Sequence, residues 1–339
     1  MNQTPKVVTF GEIMLRLSAP GFSRFVQTQQ FNATYGGGDA NVAISLAVMG
    51  IPAAHVTRFP DHEIGYAATQ LLKKYDVDTS HILYGGNRIG LYYLETGAIV
   101  RPSKVIYDRA DSSFAQIEPG MFDWDNIFDD ATWFHFTGIT PAISAGAVDV
   151  CFEALEVAKA KGLTISIDVN YRKNLWQFDR TPQKVMSKIV DYADIIFASK
   201  SDMKELFALE APTFEDDKFP FIAKLALEKY PTLQKIINSK RDSTSASDNS
   251  ISGTAIDREN LYNSRKYKLM PIVDRIGGGD AFCAGYIYGE IVYKDTQTAL
   301  DFAVAASALK HTIEGDANLA TVQEIETVMR GDISGKLSR

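Results

Sequence analysis

Short apolar runs alternate with amphipathic ones along most of this chain. Residues 7–10, 55–59, 133–137, 164–169 and 194–198 are brief runs rich in β-branched and aromatic side chains, the pattern of strands. Residues 39–49, 63–75, 144–161, 183–192, 201–209 and 217–229 carry apolar positions at helical spacing. The first of these helices sets Val42, Ala43, Leu46 and Ala47 on one face and stops at Gly50, just before Ile51-Pro52. Strands apolar on both faces, separated by helices, predict a parallel sheet with helices on both sides.

Two stretches break that rhythm. Residues 13–35 have no helical period, and residues 88–109 alternate through Leu91, Tyr92, Tyr93, Ile99, Val100, Val105, Ile106 and Tyr107. Both predict antiparallel strands outside the main sheet. They form either a β lid over one edge of the α/β body or a surface hairpin with no role. The division is then 1–12, 36–87 and 110–339 for the α/β domain, with 13–35 and 88–109 for the lid. Residues 242–252 are polar and serine-rich, which predicts a loop or a twisted strand pair. Residues 281–293 are apolar nearly all round, and 299–309 hold Ala299, Ala303, Ala305, Ala306 and Ala308. Two buried, closely packed helices follow from that.

The bulk figures narrow the class. The 339 residues are 45% hydrophobic and 23% charged, as in globular chains. The net charge of −7 leaves no basic excess for a nucleic-acid backbone or an anionic membrane. No apolar run approaches the length of a membrane span, and Met1 to Lys6 lack a signal-type apolar region. The expected location is the cytoplasm. Cys151 and Cys283 lie far apart in apolar helical runs and are expected to be packing residues of a reducing compartment. His55, His62, His81, His135 and His311 show no metal-ligand spacing and are expected in packing or surface positions.

The candidate chemistry gathers around glycines. Gly277, Gly278 and Gly279 run straight into Asp280 at the start of an apolar helix. Such a turn presents backbone N–H groups at a helix N-terminus, a ready anion site. Asp280 beside it can serve as a base for a hydroxyl nucleophile. An anion cradle and one base are the minimum equipment of a small-molecule kinase. A second glycine turn, Gly36-Gly37-Gly38, opens the first long helix, where Asp39 either meets a ligand or caps the helix, and Asn41 follows. The run Asp168-Val-Asn-Tyr-Arg172 follows an apolar strand, at the end where α/β sheets bind ligands. There Arg172 is either a guanidinium fork for an anion or a solvated surface residue. Tyr107-Asp-Arg109 on the lid offers the same choice. No Walker A pattern and no G-x-G-x-x-G fingerprint is present.

With these residues in hand, the chain resembles the ribokinase-like (PfkB) carbohydrate kinases over nearly its whole length. The N-terminal pattern reads Gly36-Gly37-Gly38-Asp39-Ala40-Asn41-Val42, and the C-terminal pattern reads Asp274 through Asp280. Within the family it looks most like 2-keto-3-deoxygluconate kinases. The matching runs are Gly90-Leu-Tyr92, Tyr107-Asp-Arg109, Thr137-Gly-Ile139-Thr-Pro141 and Asp168 to Arg172. The resemblance implies a doubly wound, mostly parallel sheet flanked by helices, with a small β-sheet lid. It implies ATP and Mg2+ as cofactors, with K+ as a further possibility, and a small sugar acid as substrate. Separately, exposed lid strands pairing between subunits give the expectation of a homo-oligomer through the lid.

The resemblance also assigns residues. Asp280 with Gly277, Gly278 and Gly279 takes the catalytic role. Gly37, Gly38, Asn41, Tyr92, Tyr107, Arg109, Ile139, Arg172 and Asp316 surround the substrate. Asn170, Ser199, Lys240, Gly277 and Gly279 meet the nucleotide. Asp202 assists Mg2+ through the nucleotide, and Asp274 sits at a monovalent-cation site. Three departures from the family pattern stand out. Arg275 and Gly278 replace Thr and Ala, Ser199 to Asp202 replaces Asn-x-x-Glu, and Ser239 to Thr244 replaces a Gly-x-x-Gly turn. A kinase of a neutral sugar such as fructose or ribose stays open as an alternative, as does a non-catalytic sugar sensor on the same scaffold.

Overall fold

A computed structural model describes residues 5–212, 218–243, 245–246 and 248–332. The expected helix start at Asp217, and Thr244 and Ser247 of the serine-rich stretch, lie outside the described residues. Among the described residues the main sheet has nine strands. Its parallel part runs Ala53–Val56, Val7–Phe10, Trp133–Thr137, Thr164–Asp168, Ile195–Phe197 and Lys235–Ser243 in spatial order. The strands Val7–Phe10, Ala53–Val56 and Trp133–Thr137 are buried at every position, including the polar Thr9, His55, His135 and Thr137, as a sheet covered on both faces requires. Two hydrophobic clusters cover the sheet. One includes Val148, Cys151, Val185 and Met203; the other includes Val42, Leu46, Phe282 and Leu300. The layers are therefore helix, sheet, helix.

The run at 55–59 divides into two elements. The main-sheet strand ends at Val56, and Arg58–Phe59 pairs instead with Leu83–Tyr84. The serine-rich stretch belongs to a long hairpin. Lys235–Ser243 pairs antiparallel with Asn249–Asp257, from Lys235 opposite Asp257 to Ser243 opposite Asn249. Leu261–Asn263 and Tyr267–Leu269 complete the edge.

A separate four-stranded sheet holds Asn32–Gly36, Met14–Ser18, Gly90–Glu95 and Lys104–Asp108 in that order. Its outer pairs are antiparallel, but the central pair, Met14–Ser18 with Gly90–Glu95, is parallel. That corrects the all-antiparallel expectation. The chain leaves the small sheet, builds the helices Gly38–Val48 and Glu63–Lys74, and returns in the same direction. Parallel pairing needs such a long crossover.

The helices Gly278–Val292 and Thr296–Lys310 pack against each other and are almost wholly buried. A Cβ on Gly289 would overlap Ala299, so the small residues allow the backbones to approach closely. This rigid pair holds the Gly277–Asp280 turn in place. A last helix, Val322–Met329, was not predicted. Its capping box, Thr321 with Glu324, was a readable signal.

Candidate active site

The carboxyl ends of the parallel strands and the facing side of the small sheet enclose a cavity of about 570 Å³. Ligands of open α/β sheets bind at this edge. The helix N-termini at Gly38 and Gly278 both open onto it. Gly277 is left-handed, with φ 78°, and a Cβ there would collide with the Asp316 carbonyl. Gly279 differs: a Cβ there would meet nothing within 4 Å. Its surroundings leave space for a ligand.

Asp280 stands half-buried on the cavity wall. Its Oδ2 accepts a hydrogen bond of 2.7 Å from Asn41 Nδ2, which joins the two glycine turns through side chains 239 residues apart. Burial pushes its pKa from 3.8 up to about 6, and Asp316 adds to the rise. Asn41, Lys310 and Arg172 pull the other way. Asn41 is 3% exposed, and its Oδ1 has no partner among the described residues. That leaves one acceptor free beside the carboxylate. Asp39 does not face outward. It accepts from Thr137 N at 2.6 Å and from Thr140 Oγ1 at 3.2 Å, so it fastens the first helix to a strand end.

The comparisons agree with this geometry. The model of the pfkB family carbohydrate kinases matches residues 4–322. A 2-dehydro-3-deoxygalactonokinase of Haloferax volcanii is 30% identical over 98% of this chain and 99% of its own length. The chain belongs to the pfkB family of carbohydrate kinases. A 2-dehydro-3-deoxygluconokinase of Bacillus subtilis is 27% identical over 91% of this chain and 90% of its own. The crystal structure of 2-dehydro-3-deoxygluconokinase from Thermotoga maritima superposes with a TM-score of 0.92 at 43% identity, covering 96% of this chain and 98% of that one.

In this pfkB-family kinase most of the expected residues meet at the one cavity. Gly37, Gly38, Asn41, Tyr92, Tyr107, Arg109, Ile139, Asn170, Arg172, Ser199, Asp202, Asp316 and the glycine turn all line it. Several are already engaged. Arg109 is ion-paired with Glu12, with Nε at 2.7 Å, while Arg172 has no ion pair among the described residues. Asp316 accepts from Arg16 Nη1 at 2.5 Å and from the Tyr92 hydroxyl. Asp202 closes a capping box with Ser199 at the helix Lys200–Phe207. Asn170 is left-handed, with φ 36°, and its side chain donates to Asp168.

Two of the expected residues stand outside this cavity. Lys240 does not line the cavity; strand alternation turns it away from the side that Ser239 and Arg241 share. Asp274 does not line the cavity either; it borders a smaller pocket, where its Oδ2 accepts from Arg16 Nη2 at 2.7 Å and from Gly315 N, and its Oδ1 from Ile276 N at 3.0 Å.

Sequence reasoning missed four groups. Arg16 is 4% exposed and bridges Asp274 and Asp316, which lie 258 and 300 residues away. Glu12 holds Arg109. Asp168, pushed up to about 7 by burial and by Asp280 and Asp202, ends a central strand and could have been singled out within the run ending at Arg172. Arg241, beside Lys240 in the strand, lines the cavity.

Proposed function

We propose that this kinase transfers the γ-phosphoryl group of ATP to the 6-hydroxyl of 2-keto-3-deoxygluconate, giving the 6-phosphate. The observation that carries this reading is Asp280. It is a carboxylate held by Asn41 beside the open position of Gly279, in a cavity that also holds Arg172, which has no ion pair among the described residues. Asp280 takes the proton of the substrate hydroxyl as that oxygen bonds to phosphorus and the bond to ADP breaks. A base positioned in this way contributes roughly 10²–10⁴-fold. The N–H groups of Gly277, Gly278 and Gly279 face the phosphoryl oxygens as charge moves.

Gly37, Gly38, Asn41, Tyr92, Tyr107 and Ile139 surround the sugar acid, and the free Oδ1 of Asn41 accepts from one of its hydroxyls. Arg172 takes the carboxylate, because Arg109 is neutralised by Glu12. Asn170 and Ser199 lie toward the nucleotide. Mg2+, when bound, would offset the negative charge of the phosphates, with Asp202 helping to hold it. No group of three or more metal-ligating side chains is present among the described residues, which suits an ion carried by the nucleotide with slight help from Asp202. The charge next to Asp274 is supplied by Arg16, so the reading gives K+ no ligand at that carboxylate.

The small sheet acts as the lid, over residues 13–35 and 88–109. Its edge strand Lys104–Asp108 is exposed throughout, with Ile106 at 53% exposure. A second copy covers this edge, which makes the kinase a homo-oligomer. We place it in the cytoplasm.

A release assay for ADP, run with MgATP over a panel of keto-sugar acids and neutral sugars, tests the reading. Fastest turnover is expected with 2-keto-3-deoxygluconate or its galactonate epimer. Faster turnover of fructose or ribose would overturn the sugar-acid assignment.

A further inference from the structure

Arg241 donates from Nη2 to His311 Nε2 at 2.9 Å. His311 Nδ1 lies 2.6 Å from the Ser307 carbonyl and donates to it, which leaves Nε2 as an acceptor. The ring is 1% exposed, and burial together with Arg241 lowers its pKa to about 4, so it stays neutral. Arg241 is thus aimed by an uncharged partner and keeps its full charge. Arg275 lines the same wall. Neither guanidinium has an ion pair within 4 Å among the described residues. Burial lowers the pKa of Arg241, and repulsion from Arg275 adds to the fall. Two like charges on one cavity wall favour a polyanion between them.

Gly278 completes the arrangement. A Cβ there would stand 2.6 Å from His311 Cε1 and 3.0 Å from Arg241 Nη2. Alanine, the usual residue of the pattern at this place, would press the histidine and arginine away. Ser307 also donates to the Gly278 carbonyl at 2.6 Å, which ties the turn to the helix that His311 caps. The departures from the family pattern at Arg275, at Gly278 and within Ser239 to Thr244 therefore meet in one place.

We propose that Arg241 and Arg275 clamp the polyphosphate of the nucleotide, that His311 orients Arg241, and that Gly278 is glycine to admit the pair. The inference rests on the kinase reading above. Asn41 and Gly38 approach Asp280 itself, whereas Arg241 approaches Gly278, two residues earlier. The clamp accordingly serves the nucleotide and not the sugar acid.

Calorimetric binding of MgATP and of adenosine tests it, in wild type, Arg241→Ala, Arg275→Gln, Gly278→Ala and the Arg241→Ala/Gly278→Ala double variant. Each single variant is expected to weaken MgATP by about tenfold or more, and to leave adenosine and the KM of the keto acid within about twofold. The double variant is expected to bind MgATP within about twofold of Arg241→Ala, since both changes remove one guanidinium contact. Melting curves check each fold, and Arg275→Gln carries the test if Arg241→Ala is unstable. Wild type that binds no MgATP would refute the kinase reading. Wild type that binds it, with arginine variants that bind it equally well, would refute the clamp. An additive double variant would refute the role of Gly278.

Discussion

On the proposed reading, protonation of Asp280 sets the pH range in which this site accepts a hydroxyl proton. Its pKa lies above the ordinary carboxylate value, near 6, so the base form prevails above about 6 and is lost as pH falls through it. The expected acid limb of kcat/KM falls roughly tenfold per pH unit below about 6. A flat profile across this range would contradict it. Asp168 titrates nearby, and the two carboxylates repel each other. Asp168→Asn should therefore move the limb to lower pH without removing it. The arginines differ in the same way as the carboxylates, through their partners. Arg172→Ala should raise the KM of the keto acid by about tenfold or more and leave that of ATP within about twofold. Equal rises in both would place Arg172 on the nucleotide side.

Among the elements, the glycine turn gives the sharpest contrast. Gly277→Ala forces a side chain into left-handed backbone and against the Asp316 carbonyl, so a loss of roughly 1–3 kcal/mol is expected in denaturant unfolding. Gly279→Ala meets no protein atom, and alanine in a first helical turn gains about 0.5–1 kcal/mol over glycine. Stability should hold or rise while the KM of ATP increases. Unchanged ATP kinetics in Gly279→Ala would show that the space serves no ligand. The buried parallel strands were legible because apolar character on both faces announces them. The hairpin from Lys235 to Asp257 was less so: its serines and charges occupy the exposed positions of a half-buried edge, and read as a loop until the partner strand is known. The parallel pair of the small sheet could not be read at all, since a run of letters does not say which way the chain returns.

At the scale of the whole molecule, what escaped the sequence is long-range pairing. Asp280, Asn41 and the glycines announce themselves by local pattern. Arg16 with Asp274 and Asp316, Arg109 with Glu12, and Arg241 with His311 are ordinary residues until the fold joins them. Arg16 has a measurable consequence, because its charge stands at Asp274 already. Turnover should be the same in potassium, sodium and choline salts, and clear activation by potassium would contradict this. On the proposed reading a second copy covers the exposed edge Lys104–Asp108. Light scattering should give an oligomer, and Ile106→Glu a monomer with a raised KM for the keto acid; a monomeric wild type would count against the lid contact.

The most direct test of the account is single-turnover ADP release by Asp280→Asn with MgATP and 2-keto-3-deoxygluconate. The variant should melt near the wild-type temperature, bind both ligands, and turn over roughly 10²–10⁴-fold more slowly. Turnover near the wild-type rate would remove Asp280 as the base.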